Sequence, residues 1–446
     1  MVSKMSFFRR HIFYRIIFIM SVVGGSVVPS YGRVYIDIDS PSIRKFPIAV
    51  ADFTNFASTP DKEGLGASLA DQLGDALQLT GFFNIISKSA FLEDPNQSGI
   101  TSNTIRFSDW ITIGAESLIK GGFQLSGQTL MAEFRLFDVV QGKLLVGKRY
   151  TGMRSDMKVM ILNFAGEVML QLTGEKGVFD TKVAFIGKRG NNSEIYTVNF
   201  DGSNMAQLTH IKSLTLLPRW SPSGREMVFT SYRDGNPDLY LLDLHKQLLK
   251  KISSFNGLNL GSSWSPDGKN ILVTLSKDGN QQIYIMNRQD GKIRRLTHDY
   301  SINVSPVWSP DGGKIAFVSD RSGSPQIFVM NADGGNQKRL TFEGRYNTSP
   351  SWSSKGKRIA FEGRAGGEFQ IFTIGEDGEN LIQLTSYGRN ESPSWSPDGR
   401  YIAFTSRVSG RARLHVMNAN GSNLRVLHEG MQEYLNAAWS PRVDLY

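Results

Sequence analysis

Four asparagines, Asn259, Asn303, Asn347 and Asn390, recur at near-constant spacing, and Thr215 and Tyr434 fall at the same phase of that period. A second series with the same period is basic: Arg189, Arg233, Lys277, Arg321, Arg364 and Arg407. Amides offer paired donors and acceptors, and a ring of like charges attracts an acidic partner and speeds its docking. The chemistry these residues can do is recognition, with no bond breaking. Each series also has a structural alternative. Asn suits turns with positive φ, and the bases can anchor neighbouring repeat units.

Residue types that carry catalysis are not arranged for it. The 446 residues contain no cysteine, which excludes a thiol nucleophile, a disulfide and a lipid-bearing N-terminal Cys. Six histidines form no His-Glu-x-x-His and no close pair, so no zinc site is expected. Gly66-Ala67-Ser68-Leu69-Ala70 lies inside a Leu-faced helical pattern and is no nucleophile elbow. Asp267-Gly268, Asp311-Gly312 and Asp398-Gly399 are turn chemistry before they are calcium ligands, since no further carboxylates cluster with them. A glycosidase would need two carboxylates at unique positions, whereas the acids here mostly repeat with the turns. The expectation is a protein with no enzymatic activity, cofactor or metal; the alternative is a glycan-binding or glycan-cleaving protein.

The elements that must position both series follow from the tryptophans. Trp220, Trp264, Trp308, Trp352, Trp395 and Trp439 stand 44, 44, 44, 43 and 44 residues apart, and each is followed by Ser. A period of ~40 to 45 residues with several short strands per unit describes a β-propeller blade. In the unit from Trp308 the strands are read as Lys314 to Ser319, Gln326 to Asn331 and Lys338 to Thr341, bounded by Asp-Gly turns. Phe185 starts one further unit that lacks its own Trp, while Trp439 has no room behind it for more strands. The two incomplete ends make one blade, closing a ring of six and removing two open sheet edges. The connection from the outermost strand of one blade to the innermost of the next carries the asparagines, and alternation of strand direction puts the basic loops on the same face.

The chain starts with Lys4, Arg9, Arg10 and Arg15, an apolar run from Ile16 to Val28, and Ser30-Tyr31-Gly32. That order reads as a secretory signal peptide over residues 1–32, cleaved before Arg33. The apolar run is shorter than the ~20 residues a spanning helix needs. Cleavage removes four bases and no acids from the formal +9, leaving +5, too mild an excess to imply nucleic acid. Residues 33–174 read as a tail and an α/β domain. Arg33, Val34, Tyr35, Ile36, Asp37, Ile38 and Asp39 alternate briefly and stop at Pro41, either as an edge strand or as a tail able to add to a partner's sheet. From Pro47 the expected order is a strand, a helix with Leu65, Leu69, Leu73 and Leu77 inward, four more strands, and a helix with Ile161, Phe164, Val168 and Leu172 inward that ends at Gly174. Residues 175–446 are the propeller.

The joint Leu172-Thr173-Gly174-Glu175-Lys176-Gly177-Val178-Phe179, the opening Val-Tyr-Ile-Asp-Ile-Asp-Ser segment and the Trp-Ser-Pro-Asp-Gly blades together resemble the TolB family, periplasmic propeller proteins of the Tol-Pal system. The order of parts carries the resemblance, which spans the chain. Two blades depart from the motif, at Ser223-Gly224 and Ser354-Lys355-Gly356. The resemblance implies a periplasmic monomer that catalyses nothing and does not insert in the membrane. It implies a Pal-like peptidoglycan-associated lipoprotein and a TolA-like inner-membrane protein as partners, in envelope integrity and constriction during division. Asn259, Asn303, Asn347, Asn390, Tyr434, Arg321 and Arg364 are the expected Pal-facing residues, and the tail from Arg33 to Asp39 is the expected TolA-facing segment.

Overall fold

A computed structural model describes residues 44–442 apart from 59, 94–98 and 191. The expected signal peptide and the whole tail from Arg33 to Asp39 lie outside the described residues.

The first domain is built on a mixed sheet. Strands β1 (Phe46–Val50), β2 (Thr54–Asn55), β3 (Phe83–Ile85), β4 (Ser117–Ser126), β5 (Thr129–Asp138) and β6 (Lys143–Met153) run in the order β3-β1-β4-β5-β6, with β2 pairing to β4. β1 is parallel to both its neighbours, and the β4-β5-β6 meander is antiparallel. Helices α1 (Leu65–Leu79) and α3 (Met157–Thr173) share a core with the sheet through Leu69, Leu73, Leu77, Ile161, Phe164 and Val168, the four-apart spacing legible in the chain. The Asp61 carboxylate caps α1 by accepting the amides of Leu65 and Gly66 at 3.0 and 2.8 Å. Gly66 is required there, because a Cβ would stand 2.1 Å from the Phe53 carbonyl oxygen. A helix the sequence reading missed, α2 (Phe107–Thr112), inserts Trp110 into a smaller core, where its Nε1 donates to buried Glu93 at 2.6 Å.

Six four-stranded sheets follow. Blades 1 to 5 begin with inner strands Thr215–Trp220, Asn259–Trp264, Asn303–Trp308, Asn347–Trp352 and Arg389–Trp395. The sixth blade pairs Glu433–Trp439 with Lys182–Arg189, Asn192–Asn199 and Ala206–Gln207, so the two ends of the ring are hydrogen-bonded as expected. The fourth strand of blade 3 is shorter than expected, Lys338–Arg339, because the Thr341 hydroxyl leaves the ladder to accept the Ile327 amide at 3.0 Å. Thr209, Thr297 and Thr385 do the same for Ile195, Ile283 and Ile371.

The Ser-Pro-Asp-Gly turns explain where their carboxylates go. Asp267, Asp311 and Asp398 each accept the hydroxyl of the Ser two residues before, at 2.6, 2.5 and 2.6 Å, and a backbone amide two residues after. The glycine that follows has φ near +70°, which an L side chain adopts only with strain. Each inner strand is broken by a bulge just before its Trp. In five of them a residue other than glycine takes the left-handed backbone there: Leu217, Ser305, Ser349, Ser392 and Asn436.

The two domains share one core. The cluster that holds α1 and α3 continues through Phe179, Phe200, Tyr401 and Trp439 into blades 5 and 6. Tyr401 donates to the Thr80 carbonyl at 3.2 Å, Arg400 to the Thr173 hydroxyl at 2.8 Å, and Asn423 to the Leu79 carbonyl at 3.2 Å. Lys355 pairs with Glu175, and Lys158 with Asp201. All these propeller residues belong to the Trp-Ser-Pro end of the blades. The other end carries the asparagine and basic loops.

Candidate functional site

At that other end the loops that enter each inner strand lie beside the loops between second and third strands, since Asn259 pairs with Leu275, Asn303 with Ser319 and Asn347 with Gly363. The structure corrects the role expected of the asparagines. All four are buried. Asn259 accepts from Ser253 Oγ and the Phe255 amide at 2.7 and 2.9 Å and donates to the carbonyls of Phe255 and Gly257. Asn303, Asn347 and Asn390 each donate to a buried glutamine, Gln282, Gln326 or Gln370, on the third strand of the preceding blade, at 3.1, 2.8 and 2.9 Å. Nor do these residues have the positive φ of a turn asparagine. They knot the entry loop to the blade, because a buried amide must satisfy its donors and acceptors internally. Tyr434 is also buried, its hydroxyl accepting the Met431 amide at 3.2 Å and lying 2.7 Å from His428 Nδ1.

The basic series divides. Arg321 bonds Asp299 and Asn303 at 2.8 Å and Gln337 at 2.6 Å, and lies over the Phe328 ring at 4.9 Å. It is a structural rivet and not the free charge expected. Arg233 pairs with Asp234, Lys277 with Asp278 and Arg407 with Glu433. Arg364 is exposed and its side chain donates to the Gly367 carbonyl at 3.3 Å, and Arg189 is exposed with its Nε on Met431 Sδ.

Between these residues stands a set that sequence reasoning passed over. Leu214, Phe255, Tyr300, Ile302, Phe342, Tyr346 and Tyr387 are exposed on five successive blade junctions, all at this end. Tyr300 is 97% exposed, and Phe342 and Tyr387 are each 73% exposed. Single exposed apolar residues are ordinary, but a crown of them around one opening marks an interaction surface. Cations orient the rings: Lys277 lies 5.7 Å from the Phe255 centroid and Arg339 5.0 Å from that of Phe342. The signal was present in the sequence as one aromatic three to five residues before each asparagine.

Residues 169–443 match the profile of the TolB beta propeller domain, and residues 34–145 that of the TolB amino-terminal domain. The chain belongs to the TolB family. Among curated relatives, the Tol-Pal system protein TolB of Syntrophus aciditrophicus is 50% identical over 205 residues, 45% of this chain and 45% of that one. Its counterpart in Desulfosudis oleivorans is 43% identical over 197 residues, 44% of this chain and 45% of that one. The chain thus spans about half the length of the curated relatives it matches. The crystal structure of TolB from Acinetobacter baumannii superposes with a TM-score of 0.78 at 27% identity, covering 89% of this chain and 96% of that one.

Beneath the crown of this TolB-family propeller, the second strand of blade 4 carries a buried acid behind the inner strands. Glu362 takes the position that Thr230, Thr274 and Thr405 hold in blades 1, 2 and 5. Its carboxylate accepts the amide of Ser392, a left-handed bulge residue of the next blade, at 2.7 Å. Burial pushes it up to about 7, with Glu391 adding in the same direction and the Ser392 amide opposing.

Proposed function

We propose that this chain is a periplasmic, non-catalytic protein-binding scaffold of the Tol-Pal system. Its propeller docks a Pal-like lipoprotein over the crown, and its tail from Arg33 to Asp39 engages a TolA-like inner-membrane protein. It thereby links the two membranes in envelope integrity and constriction during division. The assignment to the system follows the name its relatives carry, Tol-Pal system protein TolB. We take residues 1–32 as the signal peptide, 33–174 as tail and α/β domain, and 175–446 as the propeller of a monomer. No described helix is long and apolar enough to cross a membrane.

The observation that carries the docking site is the aromatic crown, on the face remote from the first domain, with the exposed side chains of Arg364 and Arg189 at the same end. Aromatic and Arg residues dominate binding energy where a partner excludes water from them. Because Phe342 and Tyr387 stand in solvent, replacing both with Ala should leave the melting temperature unchanged and weaken binding of purified Pal-like lipoprotein by at least ~30-fold, the factor for ~2 kcal/mol. Unchanged affinity would place the docking site elsewhere. Removing residues 33–40 should abolish calorimetric binding to the TolA-like partner and spare the lipoprotein; loss of both would make the segment structural.

A further inference from the structure

The inner strands enclose a cavity of about 310 Å3, and none of the side chains lining it is acidic. The residue immediately before each Trp faces this space or the neighbouring strand. In blades 2, 4 and 5 it is a serine, Ser263, Ser351 or Ser394, whose oxygen accepts the Trp amide of the next blade at 3.3, 3.4 and 2.9 Å. Having accepted, Ser351 and Ser394 retain their hydroxyl protons for a further bond. In blade 6 Asn436 accepts the Leu217 amide at 3.2 Å through its side-chain oxygen, which leaves its NH2 group facing the same cavity.

Blade 1 has an arginine at that position. Arg219 reaches the Ser262 carbonyl with Nε at 2.9 Å and the Pro218 carbonyl with Nη1 at 2.9 Å. Both bonds end on backbone, and no described acid neutralises it. Arg219 lines the cavity with part of its surface still exposed, and burial lowers its pKa to about 10. A cation held away from solvent without a counter-ion is costly, and a guanidinium presents a planar fork of donors that matches an oxyanion. The cavity is therefore rich in donors, carries one net positive charge, and is large enough for a hydrated small ion, a water occupying about 30 Å3 of liquid volume.

We propose that the channel binds one small oxyanion, a carboxylate or a monoanionic phosphate, on Arg219, with Ser351, Ser394 and Asn436 as neutral donors. The carboxylate can be a free metabolite-sized anion or one carried into the channel by a docked protein. The site is independent of which partner the crown receives.

The test titrates the purified chain with acetate and with inorganic phosphate at constant ionic strength, following the melting midpoint and the heat of binding. Wild type should show saturable binding to at least one anion. Arg219→Ala, which installs the residue type blade 6 has at Ala438, should lose it. Arg219→Lys keeps the charge without the fork and should bind at least about 10-fold more weakly; it decides the matter if the alanine variant does not fold. Absence of saturable binding in wild type, or binding undiminished in the variants, overturns the proposal. The source is read from competition: acetate that displaces a docked lipoprotein points to a partner carboxylate, and acetate that binds beside it points to a free anion.

Discussion

Replacing Glu362 with Gln should stabilise the propeller above neutral pH. The side chain is 8% exposed, and burial lifts its carboxyl from 4.5 to about 7. Between those values the folded chain holds a proton that the unfolded chain has released. The group's contribution is thus complete below about pH 4.5 and is lost as pH rises through about 7. A displacement of about 2.5 pH units at ~1.36 kcal/mol each gives about 3 kcal/mol as the upper end of the effect. Gln has the same shape, and its amide oxygen can still accept the Ser392 N–H, so only the charge is removed. The variant should exceed wild type by about 1 to 3 kcal/mol near pH 8 and match it near pH 4.5. The wild-type profile alone would hide this. His415, held to about 4 by burial, works with the opposite slope and costs stability as pH falls from 6.5 through 4. The assay is urea unfolding of both proteins followed by Trp fluorescence between about pH 5 and about pH 8, read as their difference. A difference that is zero near pH 8, or independent of pH, would refute the assignment of a buried, elevated carboxyl.

His415 stacks on Phe404 at 5.4 Å, and its Nδ1 has no hydrogen-bond partner among the described residues, so His415→Phe should remove the loss of stability as pH falls from 6.5 through 4 and unmask the opposing Glu362 slope. Trp439→Ala should cost ~3 to 5 kcal/mol, and removing residues 435–446 should lower the melting temperature further by opening blade 6; an unchanged melt on truncation would contradict ring closure. Arg321→Glu should destabilise by ~2 kcal/mol or more, because it sets a carboxylate beside Asp299 and takes the donor from the Asn303 side-chain oxygen. Arg364→Glu should leave the melt unchanged but slow association with an acidic partner, an effect that added salt should shrink in stopped-flow measurements.

The blade count and the composite blade were legible because they depend on period alone. Glu433–Trp439 and the three strands from Lys182 complete one another in a single sheet. The core faces of α1 and α3 were legible for the same reason. The binding face was read less well. The asparagines recur in register because blades 2 to 5 tie their entry loops through them, to Ser253, Gln282, Gln326 or Gln370, so repetition marked a folding role. Phe255, Tyr300, Phe342 and Tyr387 drift by one or two positions relative to the Trp, since nothing in the blade holds them there, and a search for fixed spacing overlooks them. Arg321 could not be told from Arg364 without knowing that Asp299 stands beside the first. α2 is only six residues long and shows too little periodicity to read.

The composite blade also sets an order of events in time. Strands 182–207 leave the ribosome well before Glu433–Trp439, separated by more than 200 residues. At ~5 to 20 residues per second that is a wait of roughly 10 to 50 s, during which the edge of Lys182–Arg189 has no partner. Phe200 meanwhile lacks both Tyr401 and Trp439, so the α/β domain completes its own core only when the last blade arrives. The growing chain therefore presents an unfinished surface until Glu433–Trp439 has emerged, and late truncations should be cleared by proteolysis as whole molecules and not as missing blades.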